Sequence, residues 1–596
     1  MITYWFNENT VSRLLEQRAT DTPNGVAFQR EAEDGTWQPT LWHEFAARVD
    51  ALARAMHTSG LRKGDRLALI APVSLEWELL HHAALAMGLV VVGLDAHDLP
   101  ERLAVMVEQA DVTAFVVSDT RVLSKVRAER LIGCRFLLAL GSPLGAMPNS
   151  QRWLSLDAFE AMSSACVARP AAPSPDDFAT IIFTSGTTGA PKGIAYRHDQ
   201  VCLAVEAIRD AFSFVSADGR LLCWLPLSNL FQRMVSLAGL RQGAATYLLA
   251  DPRRVMQVVA RVSPDIFVGV PRFYEKLYDG LRDTIAAMPP LKQKLVAWAW
   301  EIGRHKSLCQ RENRRAPHWL SGAYAVADRV VLARMRNVMG TRLRFLVTGS
   351  APMPKHLMEE FHALGWVLLE AYGLSENVMP MTMNQPDAYR LGSVGRPMPG
   401  NELTVAADGT VMVRGPCMFS GYLDNADPPP FDPEGYYSTA DLGNFDPDGY
   451  LHLTGRSGDL IKTSTGRRIS PTGVEEQLRR VPGVDQAVLI GSGRKFLMAL
   501  CTTANGPLNS ATFEQMKTAL QMQVSTIYEN ERPVGIALIE RPFSVDRREL
   551  TPNLKLRRAA IEEIHAATIQ RLLDEIYKTP APMADRLAVI IRLTTQ

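Results

Sequence analysis

The apolar run Thr180-Ile181-Ile182-Phe183 is followed at 184–193 by TSGTTGAPKG, a loop with three glycines, four hydroxyl side chains and one lysine. A strand that empties into a glycine-rich loop offers backbone N–H groups in the way phosphate sites do. The spacing departs from both common nucleotide loops. Lys192 lies between Pro191 and Gly193, so GxxxxGK[ST] fails, and GxGxxG fails as well. A phosphate grip built here must follow another design.

Working outward, strand-like runs at Arg66–Ala71, Val90–Leu94, Ala114–Val117 and Phe136–Leu140 alternate with helix-period segments at 41–57 and Glu76–Met87. That alternation predicts an α/β fold, with parallel-type sheets covered by helices on both faces. Residues from about 277 to 340 differ. They are long, basic and helix-biased, broken by Pro289-Pro290 and Pro317, and read as a helical insert. From about 400 to 456 short strands and turns such as DPDG at 446–449 predict a β-rich part. A boundary near Gly455–Gly458 then separates a large N-terminal domain, 1–456, from a small α+β domain, 457–596, which holds the runs Val474–Arg480, Ala487–Ile490 and Phe496–Thr502 and a helical tail at 559–578.

A chain of 596 residues exceeds one ordinary core, and 47% hydrophobic with 21% charged residues is globular composition. With 64 basic against 63 acidic residues the net charge is +1, which gives no reason to expect a nucleic-acid partner. Seven scattered cysteines, none in CxxC, fit a reducing cytoplasm. The 12 histidines show no HExxH spacing. The N-terminus is not a signal peptide. The longest apolar run, Ala83–Leu94, is too short to span a bilayer and reads as a buried helix leading into a strand, which leaves peripheral membrane contact open.

Four further stretches are dense in functional residue types: Thr348-Gly349-Ser350-Ala351-Pro352, Tyr372-Gly373-Leu374-Ser375-Glu376, Tyr437-Ser438-Thr439-Ala440-Asp441, and Gly455-Arg456-Ser457-Gly458-Asp459-Leu460-Ile461-Lys462. Each alone is an ordinary turn. In this order, with the opening loop, the set resembles the adenylate-forming (acyl-CoA synthetase, AMP-binding) superfamily over roughly residues 10–560. The version of Val268–Lys276 and the insert after it are most similar to long-chain fatty acid–CoA ligases. The segment Glu549–Arg558 (ELTPNLKLRR) resembles the superfamily's C-terminal catalytic-lysine motif.

The resemblance implies ATP-dependent activation of a medium- to long-chain fatty acid to acyl-AMP with release of pyrophosphate, then thioester formation with coenzyme A. It implies a phosphate grip of Thr184, Ser185, Gly186, Thr187, Thr188 and Gly189 with Lys192 as supporting charge. Glu376 with Thr184 would hold Mg2+, a hard ion suited to oxygen ligands, beside Ser375. Tyr372 would stack on adenine while Gly349, Ser350, Ala351 and Pro352 let backbone pass close to the base. Asp441 and Arg456 would take the ribose, and Lys462 would contact phosphate or the domain interface. Lys555 is the implied catalytic lysine, steadying charge at the α-phosphate. The small domain would be mobile and swing about Gly458, where the superfamily usually has Asp or Lys. Ala440 stands for the usual glycine, Ser350 for alanine and Ser375 for threonine.

For the acid, Cys223–Arg233 (CWLPLSNLFQR) resembles a wall of the acyl pocket and carries no acidic residue to pair an amine, with Val270 and Gly373 also placed in the pocket. Asn229 stands where long-chain enzymes usually carry histidine. With Arg233 on the same wall, it raises a shorter or polar-substituted acid as an alternative. Gly395–Gly400 runs within a dozen residues into Val411–Pro416, leaving no room for the insertion typical of fatty acyl-AMP ligases. No phosphopantetheine attachment motif is recognisable, so the thiol is external: coenzyme A, or the phosphopantetheine of a separate acyl carrier protein in the alternative reading. A non-catalytic nucleotide-binding relative is a third reading, opposed by Lys192, Glu376, Asp441 and Lys555.

Overall fold

The computed structural model of the chain describes residues 9–118, 122, 124–126, 134–140, 153–154, 156–165, 171–184, 191–312, 314–423, 431–503, 506–550, 556–578 and 588–593. The apolar runs form a seven-stranded sheet in the order Trp153–Leu154, Phe136–Ala139, Ala114–Val117, Arg66–Ile70, Val90–Gly93, Phe178–Phe183, Gly193–Arg197. All neighbours are parallel except the last pair. Successive side chains enter different cores: Leu67, Leu69 and Val116 face one, Ala68, Ile70 and Val117 the other. Burial on both faces explains why these strands read as continuous apolar runs without alternation.

A second sheet carries the site. Strands Ile266–Gly269, Phe345–Thr348 and Val367–Tyr372 are parallel neighbours, with Gly269 beside Thr348 and Thr348 beside Glu370. Their in-register ends send three connections out of one edge. In a third sheet, Val26–Glu31 pairs in parallel with Ala245–Leu248, which pairs with Arg220–Cys223. The β-rich part is an antiparallel meander of Glu402–Val405, Thr410–Arg414, Tyr437–Phe445 and Leu451–Arg456. Its 446–449 turn forms as expected, with the Asp446 carboxylate accepting from the Asp448 and Tyr450 N–H groups.

The last part builds two cores from residues beginning at Ile461, around Val484–Ile490, Met498–Thr503, Gly535–Ile539 and Val589–Leu593. Ion pairs tie it to the helix Pro271–Ala286. Arg272 meets Asp485 at 2.5 Å and Glu275 receives Arg479.

Two boundaries differ from the sequence reading. The insert's first helix starts at Pro271, not near 277, because proline at the first helical position costs no hydrogen bond. The tail is two helices, Arg558–Ile564 and Ala566–Lys578, with His565 between them at φ −100° and ψ 18° and its ring held by Glu549 at 2.9 Å.

Candidate active site

Parallel strands leave their C-terminal ends as the natural ligand edge of an α/β sheet. Val270, the Gly349–Pro352 loop and Gly373–Glu376 each follow directly from the three strand ends of the second sheet. Gly349 is buried, and a Cβ there would meet the Ala371 carbonyl oxygen at 3.2 Å, with the Phe231 ring at 3.9 Å. Ser350, Ala351 and Pro352 are exposed.

The first cluster is built around Asp441. Its Oδ2 accepts the Tyr372 hydroxyl at 2.6 Å and its Oδ1 accepts Arg456 Nε at 2.6 Å. Strand pairing sets this up, since Asp441 lies opposite Arg456 in the antiparallel register. Burial, reinforced by the Asp441 carboxylate, pushes the Tyr372 phenol well above its ordinary range, so it stays a donor. Each carboxylate oxygen has two lone pairs, leaving one on each for a further donor pair such as a sugar diol.

Ala440, next to Asp441, has φ +58°, and Ser350, just after the strand Phe345–Thr348, has φ +69°. Both lie in the left-handed region that favours glycine. The change at Ala440 is therefore conformational, beyond the small gain in size. Ala440→Gly is expected to raise the melting temperature by relieving about 1 kcal/mol of backbone strain, with ATP affinity retained. An unchanged or lower melting temperature in a thermal scan would contradict this.

The second cluster lies at the base of the opening loop. Phe183 pairs with Gly193 and the Thr184 N–H donates to the Lys192 carbonyl at 3.0 Å, so the loop joins two antiparallel strands. Its centre, Ser185, Gly186, Thr187, Thr188 and Gly189, lies outside the described residues. Lys192 Nζ stands 4.7 Å from the centre of the Tyr422 ring, and the Tyr422 hydroxyl donates to Glu376 Oε1 at 2.7 Å. Tyr422 is itself positioned by Leu423 N–H donating to the Gly193 carbonyl at 2.9 Å. Tyr422 and Tyr437 touch through their hydroxyls at 3.4 Å, linking this cluster to the strand that carries Asp441. Ser375 adjoins Glu376, its carbonyl accepting the Tyr196 hydroxyl.

Other expected residues are placed differently. Asn229 Oδ1 accepts the Phe231 N–H at 2.9 Å and caps the helix Leu230–Gln242. Arg233 is 2% exposed, its Nη1 donating to Thr180 Oγ1 at 2.7 Å. It is the positive neighbour of Glu78, whose carboxyl burial lifts to about 7 against the pull of His82 and Arg233. Arg233 Nε and Nη2 are buried with no hydrogen-bond partner among the described residues. Glu78, His81 and His82 converge in this same core, their ligand-type atoms all within 4.8 Å of one another. Spacing alone did not flag this group. Lys462 is exposed on a two-stranded ribbon, and Gly458 lies in an open turn where an added Cβ meets nothing within 4 Å. Val270 caps the helix Pro271–Ala286, and Gly373 is exposed.

Lys555 lies outside the described residues. Leu550 and Leu556, on either side of it, pair in an isolated antiparallel bridge. At its root Glu549 is buried and accepts from Arg541 at 2.7 Å and 2.8 Å, from His565 Nε2 at 2.9 Å and from the Ser544 N–H at 3.0 Å. Burial works to raise this carboxyl. The hydrogen bonds outweigh it and hold the group below the usual carboxylate range.

Sequence reasoning missed Glu370, Tyr422 and Phe231. Glu370 Oε1 accepts the Met353 N–H at 3.1 Å and so pins the loop after Pro352. Its one signal is an acid inside the apolar strand VLLEAY. Tyr422 and Phe231 carry no spacing signal. Burial raises the Glu370 carboxyl to about 8, although Met353 pulls the other way. The folded chain therefore keeps a proton that the unfolded chain releases near its ordinary value, and this contribution to stability falls as pH rises from about 4.5 to about 8. Glu370→Gln is expected to flatten the decline in melting temperature between those pH values. An identical pH profile would contradict the assignment.

Comparison with known proteins follows the same lines. A family model described as AMP-binding enzyme matches residues 15–423, and one described as AMP-binding enzyme C-terminal domain matches 458–576. A protein named long-chain-fatty-acid–CoA ligase FadD15 from Mycobacterium bovis is 29% identical, covering 95% of this chain and 97% of its own. One named long-chain-fatty-acid–CoA ligase ACSBG2 from Xenopus laevis is 26% identical, covering 93% and 82%. Among solved structures, the anthranilate CoA ligase AuaEII in complex with anthranoyl-AMP aligns with a TM-score of 0.71 at 18% identity, covering 94% of this chain and 98% of that one. ATP-bound MatB from Rhodopseudomonas palustris aligns at 0.68 and 21% identity, covering 93% and 99%. At these identities the structural likeness establishes the fold. Because the first family model covers more than half of the sequence and the second follows it in the expected order, the chain belongs to the AMP-binding enzyme family.

Proposed function

We propose that the protein joins a medium- to long-chain fatty acid to AMP, using ATP and releasing pyrophosphate, and then transfers the acyl group to the thiol of coenzyme A. The observation that carries this reading is the linkage of two clusters, through Tyr372 and Glu376 at one strand end and through the Tyr422–Tyr437 hydroxyl contact. Asp441, held by Tyr372 and Arg456, is built to accept a diol, and Lys192 with Glu376 is built to meet phosphate charge. The names of the relatives support a fatty acid.

In this reading Asp441 orients the ribose, and the Gly349–Pro352 backbone passes along the base opposite Tyr372. Lys192 adds a cation at the phosphates. Glu376 has one oxygen engaged by Tyr422, and with the Thr184 hydroxyl it offers a hard donor set. Oxygen donors of this kind fit Mg2+, and these two residues would hold it. When bound, the ion supplies charge neutralisation at the phosphates. Lys555 enters from the C-terminal part to stabilise the charge that grows as carboxylate oxygen attacks the α-phosphorus.

We place the joint between the two parts at Ser457–Asp459, with Gly458 as hinge. The ion pairs of Arg272 and Glu275 with Asp485 and Arg479 then belong to one of its two positions. Gly458→Pro is expected to slow thioester formation more than adenylation, since it restricts φ at the turn. An unchanged ratio of the two half-reactions would remove the hinge assignment.

The test of the function is a panel of straight-chain acids from C4 to C18. Each is incubated with ATP and Mg2+ plus either coenzyme A or a holo acyl carrier protein, and thioesters are read by mass. Acyl-CoA from the longer acids is the expected product. Thioester found on the carrier protein alone, or none from any acid, would overturn the proposal.

A further inference from the structure

The insert carries a surface that the catalytic reading does not use. Among the described residues, seven of the thirteen large hydrophobic side chains that are exposed fall between 291 and 330. On the helix Pro290–Arg311, Leu291, Leu295 and Trp298 recur at the spacing of one helical face, and all three are exposed. On the next helix, His318–Ala327, and the turn that continues it, Trp319, Val326 and Val330 form a second exposed stripe at the same spacing. The two helices pack against each other. Ala299, Trp300 and Gly303, buried on one side of the first helix, form its core face, and among the described residues the apolar stripe stays exposed.

Charge is concentrated in the same place. Residues 290–336 hold ten Lys and Arg (292, 294, 304, 306, 311, 314, 315, 329, 334, 336) against three Asp and Glu (301, 312, 328), a net of +7. The whole chain is +1, so everything outside this segment sums to −6. Lys292, Lys294, Arg315, Arg329 and Arg334 are exposed and have no acidic partner among the described residues. An apolar stripe with tryptophan, bordered by unpaired cations, is the composition of a helix lying in a membrane interface. Its leucines and indoles enter the acyl boundary while lysine and arginine meet anionic head groups. No helix among the described residues is long and apolar enough to cross a membrane, so the contact is peripheral.

We infer that this helix pair docks the protein on the surface of an anionic lipid bilayer. The inference stands on the surface alone and does not depend on the reaction proposed above. The charge asymmetry selects the occupant. A second copy of the chain would bring a +7 segment against a +7 segment, whereas an anionic bilayer opposes it with negative charge.

The test uses the full chain and sedimentation with vesicles of phosphatidylcholine, alone or with about one third phosphatidylglycerol. Binding to the anionic vesicles is expected to be at least about tenfold tighter and to weaken with salt. The triple variant Leu291→Ser, Trp298→Ser, Trp319→Ser is expected to lose about tenfold or more in that binding. Lys292→Glu with Lys294→Glu and Arg329→Glu should abolish the preference for anionic lipid. Both variants should keep the melting temperature and ATP–pyrophosphate exchange of the parent. No binding to anionic vesicles, binding unchanged in both variants, or a dimer in solution that the serine variant dissociates would each overturn the inference.

Discussion

Replacing Lys555 with alanine is expected to lower acid-dependent ATP–pyrophosphate exchange by about 10²–10³-fold, the loss typical of one charge stabiliser removed from a developing transition state. Thioester formation from supplied acyl-AMP should be nearly unaffected, because no pentavalent phosphorus forms in that step. The two half-reactions therefore separate a catalytic lysine from a structural one. The flanking Leu550–Leu556 bridge and the buried Glu549 do not involve the Lys555 side chain, so truncating the lysine leaves them intact. An equal loss in both steps, or a fall in melting temperature large enough to explain it, would remove the role from Lys555.

Asp441→Asn is expected to raise the KM for ATP by about 10²-fold, with a smaller effect on kcat. The carboxylate accepts one hydrogen bond from Tyr372 and one from Arg456. Charge-assisted hydrogen bonds contribute about 1.5–3 kcal/mol each, roughly twice a neutral one. The amide removes the charge and presents an N–H where one of these donors already points. Tyr372→Phe removes a single donor and leaves the carboxylate, so a loss of about tenfold is expected. The ordering is the decisive measurement. If the tyrosine variant is hurt more than the asparagine variant, the carboxylate is not the main nucleotide contact. Because the Arg456 side chain is about half exposed, at 49%, its stranded charge is met by water. The melting temperature should therefore move little, and the effect reads as binding.

How far the site could be read in advance depended on whether its residues announce themselves locally. Tyr372, Glu376, Asp441 and Arg456 each sit in a short stretch dense in functional residue types, legible without knowing their partners. Glu370 and Tyr422 matter through partners distant in sequence. Glu370 acts on Met353, and Tyr422 acts on Lys192 and Glu376. No spacing rule reports a contact across 230 positions. Asn229 caps a helix and Arg233 gives one N–H to Thr180, settings that depend on partners the local pattern does not show. Ala440 looked like a small change in size. Its φ of +58° makes it a strained residue beside the ribose-type carboxylate.

The sequence by itself determined the class of the fold, the order of the motifs and the family, because hydrophobic period and turn chemistry are local properties of the chain. It also determined the charge asymmetry between the insert and the rest. The tertiary structure alone decided which motif residues meet. Parallel register aligns Gly269, Thr348 and Glu370 so that their loops share one edge, and antiparallel register sets Asp441 opposite Arg456. It likewise decided that the basic insert packs one face of its helices and leaves Leu291, Trp298 and Trp319 exposed. Pairing and burial are relations between distant segments, fixed only when the cores close around them.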